Sequence, residues 1–153
     1  MKKQKGFTLI ELLVVIAIIG ILSTIVLISI TGAREKAMDA KVKAALSQTK
    51  SIAELIYDED PSDPSYTDLC DGAGLLNAGV GTYGGQLTNI EDGVDAISDP
   101  PVCYSNATNY CIKARLKTGL ATAVAGYWCV DSKGKSGAPG ALTSCGSAGD
   151  DCQ

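Results

Sequence analysis

The chain has 153 residues and a formal charge of −4, and Lys2, Lys3 and Lys5 crowd its amino terminus, so the remainder is more acidic still. That balance repels phosphate and excludes a broad basic face for nucleic acid. Histidine is absent, which removes every Ser-His and Cys-His catalytic pair, and a chain of this length builds one modest domain.

From Leu12 to Ile30 there are 19 uncharged residues, interrupted only by Gly20, Ser23, Thr24 and Ser29. As a helix this run is roughly 28 Å long, enough to cross a bilayer. A cleaved secretory signal is the competing reading, with Ile30-Thr31-Gly32-Ala33 as its cleavage site. The run is longer than the roughly 7–15 residues of such signals, and the helical pattern continues past Ala33. The lysines before the run are answered by Arg34, Lys36, Lys41 and Lys43 after it, so the charge bias does not orient the span. Glu11 stands inside the apolar stretch, where a carboxylate costs roughly 3 kcal/mol at bilayer depth. Either it sits at the headgroup boundary, or a cut between Gly6 and Phe7 creates an ammonium that a neighbouring copy can offer to it.

Ala33 to Tyr57 contains no proline and is rich in Ala, Lys, Glu, Leu and Gln, which predicts a continuing helix. Val42, Ala45, Leu46, Thr49, Ile52, Ala53 and Ile56 recur at three- and four-residue spacing and form the packing stripe; Lys41, Lys43, Lys50 and Glu54 are expected to face water. From Phe7 to Tyr57 such a helix measures about 77 Å. It should end at Asp58-Glu59-Asp60-Pro61, where proline breaks the hydrogen-bond ladder. Asp58, Asp60 and Asp63 lack the spacing of an EF-hand loop and read as a solvated acidic turn.

Residues 61–102 are rich in Gly, Asp, Asn and Pro and read as a loop-rich connection. Tyr110–Leu116 and Ala123–Val130 are β-prone and predict an antiparallel hairpin, whose Tyr110, Ile112, Ala114 and Leu116 face covers the Val42–Ile56 stripe. The expected fold class is therefore α+β, one long helix on a small antiparallel sheet. Cys70, Cys103, Cys111, Cys129, Cys145 and Cys152 all fall in the second half. With no histidine and no Cys-x-x-Cys pair they read as disulfides of an exported domain, not as a metal site. Six cysteines allow 15 connectivities. A hairpin centred on Leu120 sets Cys111 opposite Cys129, so Cys111–Cys129 and Cys145–Cys152 are the expected pairs. Trp128 reads as core packing against a disulfide, and Asn106-Ala107-Thr108 as a chance match to the glycosylation pattern.

Lys2 to Gly6, followed by Phe7-Thr8-Leu9-Ile10-Glu11-Leu12 and the run Val14 to Leu22, resembles the leader and amino-terminal helix of type IV pilins and type II secretion pseudopilins. Ala33-Arg34-Glu35-Lys36-Ala37 extends that resemblance. It implies a prepilin peptidase cutting between Gly6 and Phe7, methylation of the new Phe7 amino group, and a role for Glu11 in subunit docking. Many such proteins have a proline near the position of Ile28; here only Gly20 and Gly32 offer weak points. The implied organisation is a leader at 1–6, a membrane and filament-core helix at 7–32, an amphipathic helix at 33–58 and an exported disulfide-containing domain at 59–153.

The resemblance implies a structural filament subunit, with a pseudopilin or an adhesive minor pilin as the alternatives. Its partners would be identical subunits, the prepilin peptidase, an inner-membrane assembly platform and, before assembly, membrane lipid. The precursor would sit in the inner membrane and the mature chain in an extracellular filament. No cofactor, metal, nucleic acid or enzymatic activity is expected.

Overall fold

A computed structural model describes residues 6–118, 126–138, Cys145 and Cys152. The chain divides into two units, Met1–Glu35 and Lys36–Gln153, and helix α1 (Leu9–Tyr57) contributes residues to both. The architecture is α+β. Among the described residues, after α1 come a 3-10 turn (Thr67–Leu69), helix α2 (Gly84–Asp95) and strands β1 (Val102–Ser105), β2 (Tyr110–Arg115), β3 (Tyr127–Asp131) and β4 (Ser136–Gly137). The four strands form one antiparallel sheet in the order β1-β2-β3-β4.

Within the second unit, alternation along β2 decides what is buried on each face. Tyr110, Ile112 and Ala114, with Cys103 and Val130 from the neighbouring strands, share one core with Val42, Leu46, Ile52, Ala53 and Ile56 of α1. This is the expected covering of the helix stripe by that face of the sheet. Thr49 lies fully buried in the same stripe, and its hydroxyl donates to the Ala45 carbonyl at 3.1 Å, which satisfies it without a partner from elsewhere in the domain. Lys43 and Lys50 are half-buried instead of fully in water, and the Lys43 ammonium lies 4.5 Å from the centre of the Trp128 ring. Trp128 pairs with Ala114 and packs on the helix-facing core, so it sits on the opposite face of β3 from Cys129.

The stretch 61–102 is more ordered than its composition suggests. Leu87, Ile90 and Val94 of α2 are buried together with Leu69, Leu76 and Val80, and this burial holds a helix made largely of poor helix formers. Gly84 opens α2 where the Ala78 carbonyl oxygen lies only 2.1 Å from the place a Cβ would occupy, so no larger residue fits.

Two turns repeat one design. In Asp71–Leu75 the Asp71 Oδ1 accepts from the backbone N–H groups of Ala73 (2.9 Å) and Leu75 (2.8 Å); in Asp131–Lys135 the Asp131 Oδ1 accepts from Lys133 (3.0 Å) and Lys135 (2.9 Å). The fourth residue of each is a glycine at positive φ, Gly74 at 87° and Gly134 at 82°. Its N–H returns to the aspartate carbonyl at 3.2 Å in both. An aspartate that organises its own turn, with glycine where the backbone is left-handed, encodes both from local sequence.

The hairpin register differs from the expectation. Cys111 faces Asp131 and Cys129 faces Lys113, a two-residue shift that makes the two cysteines diagonal neighbours on the outer face. The disulfides are Cys70–Cys103, Cys111–Cys145 and Cys129–Cys152, so the expected Cys111–Cys129 and Cys145–Cys152 pairs are replaced. Cys145 and Cys152, which follow β4 in the chain, bond to Cys111 of β2 and Cys129 of β3, and Cys111, Cys129 and Cys145 form a second small core with Cys152 packed against it.

Candidate processing and assembly site

Gly6, Phe7 and Thr8 precede the helix and are exposed, Phe7 by 86%. Thr8 is the residue from which α1 starts. Its backbone N–H and its hydroxyl both lie 2.8 Å from Glu11 Oε2, while the Glu11 N–H reaches back to the Thr8 hydroxyl at 3.3 Å. Thr8-Leu9-Ile10-Glu11 is thus a reciprocal capping box, in which threonine and glutamate satisfy backbone donors that the first turn leaves without partners. The helix dipole also favours a negative charge in this turn. Sequence reasoning placed Glu11 at a boundary or opposite a neighbour's ammonium; its immediate partner within the chain is Thr8. The Thr-x-x-Glu spacing carried that signal.

Behind the cap, the stretch of α1 from Leu12 to Ile30 carries no charge and is apolar on all sides. From Leu9 to Ile25 the large apolar residues are about half exposed or more, and Ile30 is 43% exposed. A helix uncovered around its whole circumference has only two stable surroundings, lipid or other helices. The hydroxyls of Ser23 and Thr24 donate to the carbonyls of Ile19 (2.7 Å) and Gly20 (3.0 Å), so these polar groups need no water.

In the second unit, Asp39 of α1 is buried and receives the backbone N–H of Lys117 at 2.6 Å, that of Thr118 at 3.3 Å and the Thr118 hydroxyl. This carboxylate fastens the end of β2 to α1, a role that its position outside the apolar stripe had not suggested. Asp60 accepts from the Ser62 N–H (2.9 Å) and hydroxyl (2.5 Å), which hold its carboxyl below the usual range, and the acidic turn after α1 is exposed. Asn106 Oδ1 accepts from the N–H groups of Thr108 and Asn109, each at 2.8 Å, and so shapes the β1–β2 turn. The sulfurs of Cys111, Cys129 and Cys145 lie within 4.8 Å of one another. That spacing suits a thiophilic ion, but each sulfur here is bonded to another.

Residues 1–27 match the family described as the prokaryotic N-terminal methylation motif. Over part of its length the chain is similar to type IV pilus proteins and to a type II secretion system protein. It is 41% identical over 80 residues to the type IV wide pilus major component PilA4 of Thermus thermophilus, a match covering 52% of this chain and 57% of that one. A fimbrial protein of Pseudomonas aeruginosa is 34% identical over 101 residues, 61% of this chain and 65% of the relative. The type II secretion system core protein G of Klebsiella pneumoniae is 46% identical over 46 residues, 30% of this chain and 33% of that protein. The chain thus spans between a third and two thirds of the curated relatives it matches. No solved structure matches it. The family match at residues 1–27 takes in the capping box and most of the apolar run, the two features that define this site.

Proposed function

We propose that this pilin-like chain is a structural subunit of a type IV pilus or closely similar filament. One observation carries the reading: a helix that is apolar around its whole circumference, with a single carboxylate held in its first turn. Such a helix is at home in a bilayer as one copy and in a bundle of copies once assembled. The precursor would wait in the inner membrane as a single-pass protein and move into an extracellular filament as it polymerises. Its Gly6–Phe7 bond, exposed and outside the helix, suits a prepilin peptidase, and the Phe7 amino group so released is the natural target of methylation.

Glu11 then has a second task. The Thr8 cap holds Oε2, and the carboxylate can take the ammonium of a neighbouring subunit's Phe7, so that neither charge stays unpaired in an apolar core. A pilus is favoured over a secretion pseudopilus by the extent of similarity. The matches to PilA4 and to the Pseudomonas fimbrial protein run over 80 and 101 residues, whereas the match to core protein G runs over 46. Neither an active site nor a cofactor enters this account.

The test is the amino terminus of the mature protein in material sheared from cells. The expected finding is N-methylated Phe7 in a filament fraction. A soluble product beginning after Ala33 would contradict the proposal, because it would mean that the apolar helix is a discarded signal.

A further inference from the structure

Four sulfurs meet on the outer face of the sheet. Cys111 Sγ and Cys129 Sγ are 3.5 Å apart although not bonded to each other, and Cys129 Sγ and Cys145 Sγ are 4.0 Å apart. Cys111, Cys129 and Cys145 are each 1% exposed, whereas Cys152 is only half-buried. The Cys111–Cys145 and Cys129–Cys152 bridges therefore touch, and Cys152 is the least buried of the four residues.

We propose that these two bridges form a thiol-triggered exchange unit that converts to Cys111–Cys129 and Cys145–Cys152 with no net change in oxidation. A small-molecule thiolate attacks Cys152 Sγ; the Cys129–Cys152 bond breaks and its electron pair leaves on Cys129. The Cys129 thiolate attacks Cys111 Sγ, the nearer of its two sulfur neighbours, forming Cys111–Cys129 and expelling Cys145 as thiolate. Cys145 then attacks Cys152 in the mixed disulfide, closes Cys145–Cys152 and returns the thiolate to solution. Each step is an ordinary thiolate displacement, and the thiol acts as a catalyst.

The register supports the middle step. Cys111 opposite Asp131 and Cys129 opposite Lys113 are diagonal neighbours on one face of a β-pair, where side chains still meet. In the starting pairing the residues after β4 are tied to both β2 and β3. In the product pairing the sheet is stapled within itself, and no covalent bond other than the main chain holds the tail to it. The device lets a thiol release the tail without reducing the protein.

The sequence supplies a direct readout. Trypsin isolates residues 51–113, 118–133 and 136–153, and the last contains both Cys145 and Cys152. In the starting pairing all three fragments are linked; in the product pairing 136–153 comes away alone with its bridge inside it. The full chain in detergent is treated with about a tenth of an equivalent of glutathione at mildly alkaline pH, quenched in acid and mapped without reduction. The expected result is release of 136–153 in an amount several-fold greater than the thiol added. Release of 118–133 as a free thiol, 136–153 still linked to 118–133 alone, or an unchanged linked trio overturns the proposal.

A Cys152→Ser variant gives an independent check, because it leaves Cys129 without its partner from the start. Alkylation should then label Cys145 as well as Cys129. Label confined to Cys129 overturns the exchange.

Discussion

Thr8 and Glu11 hold each other: two donors of Thr8 lie 2.8 Å from one carboxylate oxygen of Glu11, and the Glu11 N–H returns to the Thr8 hydroxyl at 3.3 Å. A Thr8→Val variant loses the side-chain half of this exchange and should cost the first turn about 1 kcal/mol. Thr8→Ser should keep it. Amide exchange over residues 9–12 in micelles reports the difference. Equal protection in the two variants would show that the cap does not hold the helix start.

Gly84 separates packing from propensity. Gly84→Ala drives a methyl into the Ala78 carbonyl oxygen and should destabilise the domain by roughly 1–3 kcal/mol, as overpacking does. Gly93→Ala, in the same helix with no neighbour within 4 Å, should instead stabilise by up to about 1 kcal/mol. Thermal melts of the two variants should move in opposite directions.

The tyrosine cluster predicts an alkaline limit. Burial, and next the bond its hydroxyl donates to Glu54 at 3.0 Å, push the Tyr66 phenol up to about 12; burial raises the Tyr110 phenol as well. Their rings meet edge to face at 4.9 Å. The folded state therefore holds the Tyr66 proton more tightly than the unfolded chain, whose phenols ionise near pH 10. Stability from this group is fully present below pH 10 and is lost as the pH rises toward 12. Denaturant melts across that window should show the loss. Tyr66→Phe should flatten it, and an unchanged slope in that variant would assign the alkaline loss elsewhere.

Asp131 is fully buried, and its two carboxylate oxygens accept three backbone N–H groups, from Lys133, Lys135 and Cys152. Asp131→Ala removes the acceptor of three backbone N–H groups and should cost about 1–3 kcal/mol. Asp71→Ala, in the matching turn with two such donors, should cost less. Unfolding curves for the pair rank the two turns, and a reversed order would count against donor number as the cause.

Alternation along Tyr110–Leu116 told which face of the hairpin is buried, but it could not tell a register from one displaced by two residues. Such a shift returns every side chain to the same face. The partner of each cysteine was therefore hidden, because it depends on where the turn is centred and on the path of the tail. α2 was hidden for another reason. Gly84, Gly85, Thr88, Asn89 and Gly93 read as loop by propensity, while the telling spacing of Leu87, Ile90 and Val94 gains its meaning only once a core exists to receive it. The apolar helix and its cap lie in contiguous residues, so the candidate site was far more legible than the domain. Local chemistry can be read along the chain; long-range pairing cannot.

Cys145 and Cys152 give the domain a form of resistance that its hydrophobic core alone could not. Main-chain cleavage between Gly137 and Cys145 would free a carboxyl-terminal fragment in most proteins, yet here the fragment would stay tethered through two sulfurs to adjacent strands. A chain nicked there would keep its carboxyl-terminal fragment on the outer face of the sheet.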